Sequence, residues 1–343
     1  MLSVIEKAEL TNQLAEEEIV ALLATDEYNE ALFAAADRVR KRTVGDAVHL
    51  RGLIEFSSYC KQNCCYCGLR RDNRNQARYR LSEEQVLAFG AKAKSYGYQT
   101  VVLQSGEDET YDDEVLARII RGLKDLGLAV TLSIGEKPTA SYARYRAAGA
   151  DRYLLRIETT DEELYAALHP GMSLAERKRC LADLRALGFE LGTGGMVGLP
   201  EQTLASIAKD ILFYQALDAD MVGVGPFIPH ADTPLKDAGG GTFELARKVV
   251  AITRLLLPNS NIPATTALES LHPNGRIIAL GSGANVVMPN ATEGVYRQLY
   301  QLYPWKICMD DTPGQCWNCM SGKLAGIGRS VAKDHGFRQK RSG

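Results

Sequence analysis

Eight short apolar or β-rich runs recur along the chain, and they constrain its fold more than any other feature. They fall at 49–56, 100–106, 129–135, 152–158, 190–199, 220–228, 261–267 and 284–290. Near-continuous apolar character marks a strand buried on both faces, and helical patterns lie between most of the runs. Ser82 opens one helix with a capping-box partner at Gln85, followed by Val86, Phe89, Ala93 and Tyr96 on one face. Val115, Ile119, Leu123 and Leu126 form another stripe, which Gly127 stops. Strands alternating with helices imply parallel pairing. Eight of them predict an α/β fold of TIM type, a closed (β/α)8 barrel, in preference to an open doubly wound sheet.

Such a barrel takes about 250 residues, and this chain has 343. Residues 1–45, with helical patterns around Glu16–Ala24 and Tyr28–Arg40, read as an N-terminal helical extension. Residues 46–295 read as the barrel and 296–343 as a C-terminal extension, ending in a basic tail, Arg338–Arg341, expected to be disordered. Forty basic against 42 acidic residues give a net charge of −2, so no global basic field draws the chain to nucleic acid or a membrane. The first twenty residues carry acids throughout and show no secretory signal, and no apolar run is long enough to span a bilayer. A cytoplasmic protein is expected.

Six of the eight cysteines form two tight sets: Cys60, Cys64 and Cys67, then Cys308, Cys316 and Cys319. In a long chain without a secretory signal, clustered cysteines favour metal or redox chemistry over a disulfide framework. The first set follows the first strand, where barrel enzymes place their chemistry. Three thiolates at this spacing hold three irons of a 4Fe–4S cube and leave the fourth open. Structural zinc wants four ligands, and neither Cys65, adjacent to Cys64, nor the upstream His49 is well placed as the fourth. Cys180 reads as a buried apolar residue on a helix.

The Cys-x3-Cys-x2-Cys motif, with Tyr66 before its last cysteine, resembles that of the radical S-adenosylmethionine superfamily. The resemblance implies that the methionyl group of the cofactor chelates the open iron. One electron from the cluster then cleaves the sulfonium to a 5′-deoxyadenosyl radical, which the protein positions and shields. Ser105-Gly106-Glu107 stands where the family has a Gly-Gly-Glu-like turn for the methionyl ammonium, with serine replacing the first glycine. By the same resemblance Glu158 meets the ribose hydroxyls, and Arg177 pairs with the cofactor carboxylate. Tyr66 joins the cofactor site.

Whole phrases narrow the likeness. Ile54-Glu55-Phe56-Ser57, Cys67-Gly68-Leu69-Arg70-Arg71-Asp72-Asn73, Leu103-Gln104-Ser105-Gly106-Glu107-Asp108, Met196-Val197-Gly198-Leu199-Pro200, Gly225-Pro226-Phe227-Ile228-Pro229-His230, Asn261-Ile262-Pro263-Ala264-Thr265-Thr266-Ala267 and Tyr296-Arg297-Gln298-Leu299-Tyr300-Gln301-Leu302-Tyr303-Pro304 resemble the HydE family of FeFe-hydrogenase maturases. Methylornithine synthase and biotin synthase are similar but more distant. The HydE resemblance implies an enclosed cavity and a substrate supplied by a partner maturase, a cysteine-bound iron with two carbonyls and one cyanide. It also implies an electron donor such as ferredoxin or flavodoxin, and other hydrogenase maturases as partners.

Strand-end positions supply candidate substrate anchors: Ser133 on the third strand, Arg156 on the side shared with Glu158, and Thr265 and Thr266 ending the seventh strand. Tyr303 is expected to close the cavity from the C-terminal extension. Cys308, Cys316 and Cys319 have the spacing of an accessory cluster site in some HydE proteins, with a surface zinc as the alternative. A passive iron–sulfur carrier or a zinc-stabilised binding protein explains the cysteines but not the pocket-building strands. Within the enzyme class, the alternative is a methylornithine synthase-like lysine mutase.

Overall fold

The computed structural model describes residues 1–304 and 306–339. Its strands are β1 Ala47–Ser57, β2 Thr100–Ser105, β3 Ala129–Ser133, β4 Arg152–Leu154, β5 Glu190–Val197, β6 Met221–Pro226, β7 Val286–Val287 and β8 Ser330–Val331. They run parallel in the order β6-β5-β4-β3-β2-β1-β7, with β8 pairing the start of β1. Ile54 stands opposite Leu103, Leu103 opposite Leu132 and Leu132 opposite Tyr153. This register brings the loops after β1, β2, β3 and β4 out at one end.

The expected seventh strand is not regular. Residues 261–264 join the sheet through the bridges Met221↔Asn261 and Pro263↔Val286 and through the Val222 and Ala264 amides, and so close the ring between β6 and β7. Pro263 has no amide hydrogen to give a ladder, and Thr265, expected at a strand end, instead caps the helix Thr266–Leu271. The capping box of Ser82 and Gln85 forms as expected. Three N-terminal helices, Leu2–Thr11, Glu16–Ala24 and Asn29–Val44, pack beside the helix Phe243–Leu256. The first of them escaped the sequence pattern because it buries only Ile5 and Ala8.

Ahead of the basic tail expected to be disordered, residues 335 and 336 are tied to the barrel. The Gly336 carbonyl accepts from Arg51 Nη2 (3.2 Å) and Asn261 Nδ2 (3.0 Å), and the His335 carbonyl from Arg152 Nη2 (2.7 Å) and Thr100 Oγ1 (3.0 Å). Arg338 pairs with Asp218 and Asp220, whereas Lys340 and Arg341 lie outside the described residues. The tail therefore plugs the barrel end opposite the cysteine loop, satisfying buried donors that would otherwise be costly. Ending the chain after Lys333 removes those carbonyls. With water entering the opened mouth, the expected loss is about 2 kcal/mol, read from urea denaturation.

Candidate active site

The first cysteine set sits on a loop that the chain fixes with main-chain acceptors. Arg78 reaches four carbonyls, those of Ser58, Leu69 (2.9 Å), Arg70 (2.7 Å) and Asn73 (3.1 Å), and Asn73 Nδ2 donates to the Gly68 carbonyl. Gly68 has no room for a side chain, since a Cβ there would lie 2.1 Å from the Gln301 carbonyl oxygen. Cys60, Cys64 and Cys67 are half-buried and line one end of a cavity of about 350 Å3. Burial pushes all three thiols up, Cys67 to about 12, and the neighbouring cysteine sulfurs add to the shift at Cys64 and Cys67. Buried thiols crowded in this way ionise readily only against a bound cation.

Among the described residues no histidine and no fourth cysteine lines the cavity. That donor set fits a site-open iron–sulfur cube better than one tetrahedral ion. Cys65 points elsewhere, its Sγ donating to the Ala167 carbonyl at 3.5 Å.

Every other residue expected at the cofactor or substrate lines the same cavity: Tyr66, Ser105, Gly106, Glu107, Ser133, Arg156, Glu158, Arg177, Thr265, Thr266 and Tyr303. On the cofactor side, the Glu107 amide donates to Cys60 Sγ (3.3 Å), and its carboxylate accepts from Gln62 Nε2 (2.7 Å) and the Glu136 amide (2.9 Å). Ser105 Oγ donates to the Gly106 carbonyl. A Cβ on Gly106 would lie 2.2 Å from the Tyr59 carbonyl oxygen and 2.6 Å from Cys60 Cβ, so the turn packs directly on the cysteine loop. Glu158 takes a left-handed φ of 66°, a conformation disfavoured for a side chain of this size. Arg177 is buried and donates to Glu136 Oε1 (2.6 Å) and to the Arg156 carbonyl.

Arg156 Nη2 approaches Glu158 Oε2 at 2.7 Å without hydrogen-bond alignment, and Arg156 Nε has no partner either. Buried polar atoms left open in this way are what a polar ligand satisfies. Thr265 Oγ1 donates to the Val224 carbonyl at 3.3 Å, and burial pushes the Tyr303 phenol up. Leu53, Leu155, Met196, Phe227, Ile228, Met288 and Leu302 supply apolar wall.

The second set assembles differently from its sequence spacing. Cys308 and Cys316 meet Asp311, while the exposed Cys319, one turn further along the helix Pro313–Gly326, lines the same small cavity but stays outside that group. Cys308 donates to Cys316, which holds the Cys316 thiol below its ordinary value with help from Arg297. Sequence reasoning missed Asp311, whose acidic side chain carries no spacing signal. It also missed Glu55 and Lys306, a buried ion pair on the cavity wall joining β1 to the C-terminal segment.

The Radical SAM superfamily profile matches residues 54–214. The chain is 49% identical over 341 residues to the FeFe-hydrogenase maturase subunit HydE of Thermotoga maritima, covering 99% of this chain and 97% of that protein. It is 32% identical over 280 residues to 3-methylornithine synthase of Methanosarcina acetivorans, covering 80% and 79%. The crystal structure of methylornithine synthase superposes with a TM-score of 0.85 at 28% identity over 96% of this chain and 97% of that one. Membership of the superfamily implies a 4Fe–4S cluster and S-adenosylmethionine. With the cysteine loop and the strand-end residues gathered around one cavity, and with half of its residues shared end to end with that maturase, the chain belongs to the HydE family of radical S-adenosylmethionine hydrogenase maturases.

Proposed function

We propose that the enzyme acts on a cysteine-bound iron carrying two carbonyls and one cyanide, delivered by a partner maturase. Cys60, Cys64 and Cys67 would hold the 4Fe–4S cluster. Gly106 and Glu107 would receive the cofactor's methionyl ammonium, Arg177 its carboxylate, and Tyr66 and Glu158 its nucleoside. When bound, the two groups supply one-electron cleavage of the sulfonium to an adenosyl radical. The chain's part is to orient and to exclude water: the apolar wall keeps the radical from solvent, and the Arg78 carbonyl cradle keeps the cysteine loop in place.

The charge of the substrate side carries this reading. Arg156 faces the cavity with Nε unpartnered and Nη2 2.7 Å from Glu158 Oε2, while Glu55 is already engaged by Lys306 and by Asn290 Nδ2 at 2.7 Å. The open guanidinium N–H of Arg156 suits the cysteine carboxylate of an anionic iron complex. Lysine would bring a carboxylate as well, but with it two ammonium groups, and Glu55 and Glu158 each already face a cation. Ser133, Thr265, Thr266 and Tyr303 would complete the anchors. The Arg156→Met variant, assayed for consumption of the iron complex against lysine, tests this: loss with the complex is expected, and unchanged turnover contradicts it. The second cysteine set is read as an accessory metal site outside turnover.

The electron donor would dock beside the cysteine loop. Residues 59–80 carry six cations (Lys61, Arg70, Arg71, Arg74, Arg78 and Arg80) against the single acid Asp72. Arg71 and Arg74 are exposed. That excess favours an acidic carrier protein. Arg71→Glu with Arg74→Glu is expected to slow cluster reduction by such a carrier about tenfold at low salt. Reduction by dithionite should not change. Stopped-flow absorbance reads both rates.

A further inference from the structure

Helix Glu162–Leu168 ends in a turn that grips the cysteine loop from the side. His169-Pro170-Gly171-Met172 closes with Met172 N–H on the His169 carbonyl at 3.0 Å, and Gly171 takes a φ of 80°. Proline second and a left-handed glycine third are the residues that such a type II turn demands. The turn sends Met172 into the cavity wall and buries His169. Opposite it, the Cys65 amide donates to the Leu168 carbonyl at 2.9 Å, and Cys65 Sγ to that of Ala167. Residues 167–169 thus mould the stretch between two expected cluster ligands.

The ring nitrogens of His169 have distinct partners. Nδ1 lies 2.9 Å from the Tyr165 carbonyl, which only accepts, so Nδ1 carries the proton. Nε2 is then a bare acceptor, and the Tyr66 hydroxyl 2.9 Å away must donate to it. The two rings meet edge to face, with centroids 5.4 Å apart and planes at 81°. Behind His169 the Tyr165 ring stacks at 4.1 Å, and the Arg177 guanidinium lies 5.9 Å from that ring. Tyr66, fixed in this way, is half-buried and lines the cavity together with Glu158 and Arg177.

We infer that His169 is a positioning residue for S-adenosylmethionine: as an Nδ1-protonated imidazole it locks the Tyr66 ring in the orientation that receives the cofactor's nucleoside. The inference rests on the cavity binding S-adenosylmethionine, as proposed above. His169→Phe keeps the stack on Tyr165 but removes the acceptor, and Tyr66→Phe removes the donor.

The test is a double-mutant cycle on the anaerobically reconstituted full chain. The dissociation constant for S-adenosylmethionine is read from the change it makes in the cluster's electron paramagnetic resonance spectrum, with iron content measured in parallel. Each single variant is expected to weaken binding about fivefold. The double variant should be no weaker than either one, with iron content at wild-type level throughout. Multiplying effects, an unchanged constant in His169→Phe, or iron lost in step with affinity would each overturn the inference. Failure of the wild-type protein to bind S-adenosylmethionine would overturn the cofactor reading itself, and His169's role with it.

Discussion

Replacing Cys60, Cys64 or Cys67 singly with alanine is expected to remove the cluster and abolish cleavage of S-adenosylmethionine. The three thiols are the cysteine or histidine side chains among the described residues lining the cavity, so no neighbour stands ready to substitute for a lost ligand. Two thiolates leave two irons without protein ligands, where the intact site leaves one. The Glu107 amide on Cys60 and the Arg78 cradle hold the loop but offer no ligand of their own. The comparison is best made in a background with Cys308, Cys316 and Cys319 all changed to serine, so that iron at the second set does not mask the loss. Iron and sulfide content and release of 5′-deoxyadenosine are the readouts. Full cleavage activity in any of the three variants would contradict the cluster reading.

The second large effect is expected at Lys306. Its ammonium bonds Glu55 on the cavity wall, with side chains 9% and 1% exposed, and also lies 3.4 Å from the Tyr300 carbonyl. Lys306→Met leaves the Glu55 carboxylate with Asn290 as its remaining hydrogen-bonding side chain. Stripping one member from a buried pair costs roughly 3 kcal/mol, because the other charge stays in place without compensation. Adding Glu55→Gln removes that charge and is expected to restore most of the stability. Denaturant midpoints of wild type, single and double variants give the result. A midpoint unmoved by Lys306→Met would mean that the pair is solvated through the cavity. Because Lys306 also lines the small cavity of the second cysteine set, the single variant should disturb both sites.

What the sequence made legible follows from the range over which its signals act. Cys60, Cys64 and Cys67 are readable because all three thiols lie on one short loop. Ser133 is readable because it ends a predicted strand, whereas Arg156 and Glu158 lie beyond β4, which stops at Leu154, and Glu158 takes a left-handed φ, so they line the cavity without the strand alternation expected for Arg156. The seventh strand was overread: the apolar run at 261–267 has the right composition, but Pro263 breaks the ladder and Thr265 starts a helix. The pair of Glu55 and Lys306 joins residues far apart in the chain, and nothing local in either announces the other. Of the tail expected to be disordered, Arg338 pairs with Asp218 and Asp220, partners that basic composition does not announce, while Lys340 and Arg341 lie outside the described residues. His169 did carry a signal, the His-Pro-Gly-Met turn, but what that turn faces emerges only once the chain is folded.

The most direct test of the central claim is a paired incubation. The reduced, reconstituted protein is given S-adenosylmethionine with either the cysteine-bound iron dicarbonyl cyanide complex or lysine, and adenosyl products are followed by mass spectrometry. Accelerated cofactor consumption and a sulfur–adenosyl adduct with the iron complex alone are the predicted result. Methylornithine formed from lysine, with the iron complex left untouched, would contradict it and make the same barrel an amino-acid mutase.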